Sequence, residues 1–210
     1  MILALYAVLA VTHIVVSAFD VTWAEWATKP LLMPLLALYV VLRRGPRPVV
    51  AALLLSAAGD VALQFSGPDV LFLVGMGFFG AAHVCYIAYF VRRGTFAGKA
   101  WIAGVYAVVW VGLIAWLWPD LGALQIPVAA YSLLLFTTGA TSARLGLRAG
   151  LGGAFFVLSD TLIAVGLADH DLPGPDVWVM VTYALAQVLL ATAATRTDPS
   201  HKVSAMDNSS

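Results

Sequence analysis

Two aspartates lie inside apolar runs, where an ionisable group is least favoured: Asp60 in residues 53–63 and Asp160 in residues 155–164. In a bilayer such side chains are costly and mark functional positions by default. Each follows a serine: Ser56 stands one helical turn before Asp60, and Ser159 adjoins Asp160. His83, with Phe79 and Tyr86 on its helix face, sits in a third apolar run, and Tyr183 and Gln187 form an i,i+4 pair in a fourth. Two carboxyls with a histidine suit proton transfer, either as general acid and base or as a relay. The same groups also serve as interhelical hydrogen-bond donors and acceptors, and a lone histidine on an apolar helix is often only a packing residue.

The surrounding chain sets the medium. Of 210 residues 62% are apolar and 10% charged, and mean hydropathy is +0.94. A soluble domain is nearer a quarter charged, so the chain reads as an integral membrane protein. At ~20 residues per crossing there is room for seven or eight helices and little else. Eleven basic residues balance eleven acidic ones, which gives no indication of a nucleic-acid partner. The single cysteine, Cys85, rules out an intramolecular disulfide and reads as a small packing residue.

Breaker residues and charges divide the chain into eight predicted helices, at about residues 1–19, 30–42, 49–65, 70–91, 100–118, 121–141, 151–168 and 177–195. The first lacks the basic start of a secretory signal and is too long for one. Lys29-Pro30 opens the second, since proline is tolerated in a first turn. The fold class is therefore an all-α membrane protein: one eight-helix transmembrane domain over 1–195, then a polar, disordered tail over 196–210. Ten of the eleven basic residues fall in alternate loops and the tail. The intervening loops hold seven acids and a single base, Lys29. The positive-inside rule then puts both termini in the cytoplasm. Asp60 lies about 7–8 Å, and Asp160 about 12 Å, below the outer helix ends. Lys29, alone on the acidic side at a helix mouth, either snorkels to the interface or meets a lipid phosphate. Asp169, His170 and Asp171 lack a ligand spacing and read as a solvated loop, so no metal site is expected.

Several motifs together resemble the lysoplasmalogenase, or YhhN-like, family of multi-spanning membrane proteins. They are Lys29-Pro30, Ser56-x-x-Gly59-Asp60-x-x-Leu63, Gly75-x-x-x-Phe79-x-x-Ala82-His83-x-x-Tyr86, Phe156-x-x-Ser159-Asp160 and Tyr183-x-x-Ala186-Gln187. The resemblance covers nearly the whole chain, in order. It implies a membrane hydrolase that cleaves the vinyl-ether bond of lysoplasmalogen to a fatty aldehyde and a glycerophospho-ethanolamine or -choline. The substrate is thus a lysophospholipid of the bilayer, and the cell membrane is the expected location. Vinyl ethers hydrolyse by protonation at carbon, giving an oxocarbenium ion that water captures, and no metal or organic cofactor is required. In this reading Asp160 donates the proton, while Asp60 stays ionised to stabilise the cation and position water. His83 and Tyr86 orient the two carboxyls. Lys29 holds the phosphate, and Ser56, Ser159, Tyr183 and Gln187 join Lys29 and Tyr86 as candidate substrate-binding groups. The competing reading is a proton-coupled transporter, against which no inverted pair of interrupted helices is found.

The charge alternation makes a topological prediction. Reporters fused after Arg47, Arg93, Arg148 and at the C-terminus should report cytoplasm, and those near Asp69, Asp120 and Asp171 the opposite side. An external C-terminus would break the eight-crossing arrangement.

Overall fold

A computed structural model describes residues 1–65, 69–95, 100–168, 170 and 173–196. Among them the chain forms eight α-helices: α1 Ile2–Ala18, α2 Thr22–Leu42, α3 Arg47–Gln64, α4 Asp69–Arg93, α5 Ala100–Leu117, α6 Gln125–Ser142, α7 Leu147–Leu167 and α8 Pro175–Arg196. Seven are long and apolar enough to cross a membrane, and α1, at 17 residues, is the short one. The protein is an integral, multi-pass membrane protein. The expected turn at Ser66–Pro68, Lys99, the acidic-loop residues Asp169, Asp171 and Leu172, and the tail 197–210 lie outside the described residues.

One boundary differs in a way that matters. Lys29-Pro30 does not open α2; the helix starts at Thr22 and carries Pro30 and Pro34 inside it. A proline forfeits one backbone bond, whereas unravelling the segment would leave several groups unpaired in hydrocarbon, so the helix continues. Tertiary contacts hold these first turns. Gln64 Nε2 donates to the Glu25 carbonyl (3.1 Å), His13 Nδ1 meets Thr28 Oγ1 (2.7 Å), and Trp26 packs edge-on against Phe65. Lys29 is consequently seven residues into the helix, ~10 Å from its start. That is the level of Asp160, seven residues before the end of α7, and not the rim. A smaller difference is that two 3₁₀ turns, Trp118–Asp120 and Gly122–Leu124, precede α6, which begins later than expected.

Helix α8 is the centre of the bundle and packs against α1, α2, α3 and α7. Its buried face is rich in small residues, including Ala184, Ala186, Ala191, Ala193 and Ala194, which let neighbouring backbones approach closely. Helix α5 is peripheral, packing mainly on α6 and presenting Trp101, Val108 and Val111 outward. In lipid that is the arrangement expected of an all-apolar helix.

Helices α3 and α4 cross at Gly59 and Gly75. A Cβ on Gly59 would lie 2.6 Å from the Phe79 ring and 3.2 Å from the Gly75 carbonyl. A Cβ on Gly75 would meet Leu63 at 2.7 Å. This contact brings α3, and Asp60 next to Gly59, against the aromatic face of α4. Gly59→Val should therefore lower the thermal unfolding midpoint in detergent by the equivalent of ~1–3 kcal/mol, the usual effect of overpacking. Gly104→Ala on α5, where a Cβ meets nothing within 4 Å, should cause no loss. An unchanged midpoint for Gly59→Val would mean that α3 and α4 do not touch at this level.

Candidate active site

The i,i+4 pairs of α3 and α8 face each other as a ladder between antiparallel helices. Tyr183 Oη donates to Asp60 Oδ2 (2.9 Å), and one turn below Gln187 Nε2 donates to Ser56 Oγ (3.1 Å). Tyr86 of α4 donates to Gln187 Oε1 (2.6 Å), tying in a third helix. Ser56, Tyr86 and Gln187 are fully buried, and Asp60 is 3% exposed. Burial leaves little competing water, so the ladder's polar groups pair with one another across the helices.

A second arm forms around Asp160 on α7. Its Oδ2 accepts a hydrogen bond from Tyr131 of α6. His83 Nε2 lies 3.2 Å from the Tyr131 hydroxyl and 4.0 Å from Asp160 Oδ2. His83 is fully buried, whereas the Asp160 side chain keeps 10% of its surface exposed. Ser159 Oγ donates to the Val179 carbonyl (3.1 Å), fastening α7 to α8. Phe156 joins the two arms, its ring 4.7 Å from His83 and 5.6 Å from Tyr183.

Both carboxylates open into one narrow, mainly apolar cavity of about 90 Å³. Lys29, Tyr131, Ser159 and Tyr183 share its wall with Phe72, Met76, Phe79 and Phe136. Lys29 is close enough to Asp60 for their charges to interact. Of the residues singled out in the sequence, Lys29, Asp60, Ser159, Asp160 and Tyr183 reach the cavity. Ser56, His83, Tyr86 and Gln187 stand behind its wall, bonded to neighbouring side chains. Among the described residues no three metal-ligating side chains converge.

Sequence reasoning missed Tyr131, and also Tyr6 and His13, which tie α1 to α8 and α2 through the Ala184 carbonyl and Thr28. The available signal was a hydroxyl or imidazole in mid-span, which must find a partner when buried. Tyrosine is common enough in apolar helices that this signal alone singles out no position.

The profile of the YhhN family matches residues 24–194. The chain is 35% identical over 159 residues to a lysoplasmalogenase of Mycobacterium bovis, covering 70% of this chain and 60% of that protein. It is 36% identical over 146 residues to lysoplasmalogenase TMEM86B of Sus scrofa, covering 69% and 62%. With lysoplasmalogenase TMEM86B of Rattus norvegicus it shares 31% over 180 residues, covering 83% and 75%. The chain thus spans about three fifths of the length of the first two relatives. No solved structure matches it.

The ladder behind the cavity has a measurable signature. Gln187→Leu strands the Tyr86 hydroxyl and Ser56 Oγ and should cost ~1–3 kcal/mol for each group left unpaired. Adding Tyr86→Phe and Ser56→Ala removes the stranded groups and should restore part of the thermal midpoint. Strictly additive losses across the three substitutions would show that the groups are not coupled.

Proposed function

The chain belongs to the YhhN family, and from that premise we propose that it is a hydrolase of the cell membrane. It cleaves the vinyl-ether bond of lysoplasmalogen to a fatty aldehyde and a glycerophospho-ethanolamine or -choline. The observation that carries the reading is the pair of carboxylates, Asp60 and Asp160, opening into one apolar cavity beside a lysine. The relatives' name, lysoplasmalogenase, supplies the substrate class.

The chemistry asks for a proton donor, a stabiliser of positive charge and one water. Asp160 delivers a proton to the vinyl carbon distal to the ether oxygen, leaving an oxocarbenium ion. Asp60, in the field of Lys29 and held by Tyr183, is the anionic partner that stabilises this cation and positions water. Two carboxyls in unlike surroundings divide such duties in glycoside hydrolysis. Water adds to the oxocarbenium carbon and releases a proton. The hemiacetal then collapses to aldehyde and alcohol, so that one water is consumed and the proton is returned. The rings of Phe79 and Tyr183 add electron-rich surface beside the developing charge. Lys29, now placed at the depth of the carboxylates, reaches the lipid phosphate only by extending its stem outward. Both termini lie in the cytoplasm, and the cavity is in the outer half of the membrane.

Purified protein in detergent should release aldehyde from a vinyl-ether lysolipid but not from its saturated-ether analogue or an acyl lysolipid. Asp60→Asn and Asp160→Asn keep size and hydrogen bonding, and each should lower kcat at least ~10²-fold. The double variant should be little worse than either, because groups acting as a unit are non-additive. A proton-coupled transporter would show no turnover in detergent, only flux across a sealed membrane with a gradient. Near-normal aldehyde release by both folded asparagine variants would sink the two-carboxylate mechanism.

A further inference from the structure

The second arm contains a residue to which no motif points. Tyr131 lies on α6, within the stretch the family profile matches but outside every motif read from the sequence, yet its side chain lines the cavity and touches Asp160. Its hydroxyl is shared by two partners, Asp160 Oδ2 and His83 Nε2.

Counting hydrogens orders this group. The hydroxyl has one hydrogen, and the structure directs it to Asp160 Oδ2, which leaves the hydroxyl oxygen only as an acceptor. Tyr131 therefore donates to Asp160 Oδ2, and its oxygen accepts from His83. That assigns the imidazole hydrogen to Nε2 and leaves Nδ1 as a bare acceptor. The surroundings agree: His83 Nδ1 is buried without a partner among the described residues. A bare lone pair tolerates that position better than an orphaned N–H. Asp160 Oδ1, by contrast, is neither bonded to a described side chain nor among the buried unpartnered atoms. It is the exposed edge of the carboxyl, facing the cavity.

We propose that Tyr131 is the positioning residue of the proton donor. Resting on the hydrolase reading above, it occupies Oδ2 and thereby places the acidic hydrogen of Asp160 on Oδ1, the oxygen that faces substrate. His83 sets the direction of the bond from behind by donating to the Tyr131 oxygen, while Phe156 supports its ring. Without the hydroxyl the carboxyl hydrogen is free to sit on either oxygen, and the group is free to rotate about its last torsion. A misplacement of that size costs up to ~10²-fold in rate without changing substrate binding.

Tyr131→Phe removes one oxygen atom. It should lower kcat for vinyl-ether lysolipid by ~10- to 100-fold with KM within about twofold of wild type. In the Asp160→Asn background the same change should have no further effect, since the hydrogen it positions is gone. His83→Gln, whose amide can still donate to Tyr131, should retain several-fold more kcat than His83→Leu. In infrared spectra the Asp160 carboxyl C=O stretch, identified by its loss in Asp160→Asn, should move to higher wavenumber in Tyr131→Phe as Oδ2 loses its donor. Should Tyr131→Phe fail to fold, the two His83 variants decide the question alone. A wild-type kcat in Tyr131→Phe, an equal loss in the Asp160→Asn background, or equal activity of His83→Gln and His83→Leu would overturn the proposal. Absence of aldehyde from the wild-type protein would instead overturn the hydrolase reading, so the two failures are distinguishable.

Discussion

The hydrogen bond from Tyr183 to Asp60 is the contact on which the rest of the structure depends. Asp60 is buried in an apolar bundle, where a carboxylate left without a partner is costly. Its partner has to come from another helix, and α8 supplies it. Once Tyr183 faces Asp60, helical periodicity brings Gln187 opposite Ser56, and Tyr86 closes the set. One electrostatic requirement thus sets the register of three helices. The small residues of α8 let the same helix sit at the centre of the bundle, where it also receives Tyr6 from α1 and Ser159 from α7.

The two carboxyls are alike in sequence context and unlike in surroundings. Asp60 is nearly enclosed, shares the cavity wall with Lys29 and is held by a tyrosine of α8. Asp160 keeps an exposed edge and is held by a tyrosine of α6 that is itself held by a histidine. Chemistry that needs one proton donor and one anion requires such a difference, because two equivalent acids would compete for the same role. Phe156 touches both arms from behind, and the cavity between the carboxyls is walled mainly by apolar side chains such as Phe72, Met76, Phe79 and Phe136.

Lys29 shows how a membrane alters the rules for local structure. In water, a lysine and proline after a polar stretch mark a helix start. In the bundle the helix begins seven residues earlier, because pairing the backbone outweighs the bond that proline forfeits. The result is a cation at the depth of the carboxylates instead of at the rim. Asp60 shares the cavity with it, so the charge there has an acidic neighbour.

By itself the sequence determined the medium, the number of helices and the residues worth watching. Composition and apolar run length dictate a helical membrane bundle, since only a helix satisfies its own backbone in lipid. Asp60, Asp160 and His83 stand out because each is expensive where it lies. Pairing, depth and access were decided by the tertiary structure. Tyr183 stands out in sequence only as a polar group needing a partner and Tyr131 not at all, and only the crossing of α8 with α3 and of α6 with α7 makes each the partner of a carboxyl. That His83, Tyr86 and Gln187 stand behind the cavity wall while Lys29 lines it depends on which way each helix is rotated. Rotation is set by many weak contacts summed over the whole bundle. Helical periodicity tells which residues share a face, but in a chain apolar on every side it carries no mark of which face turns inward.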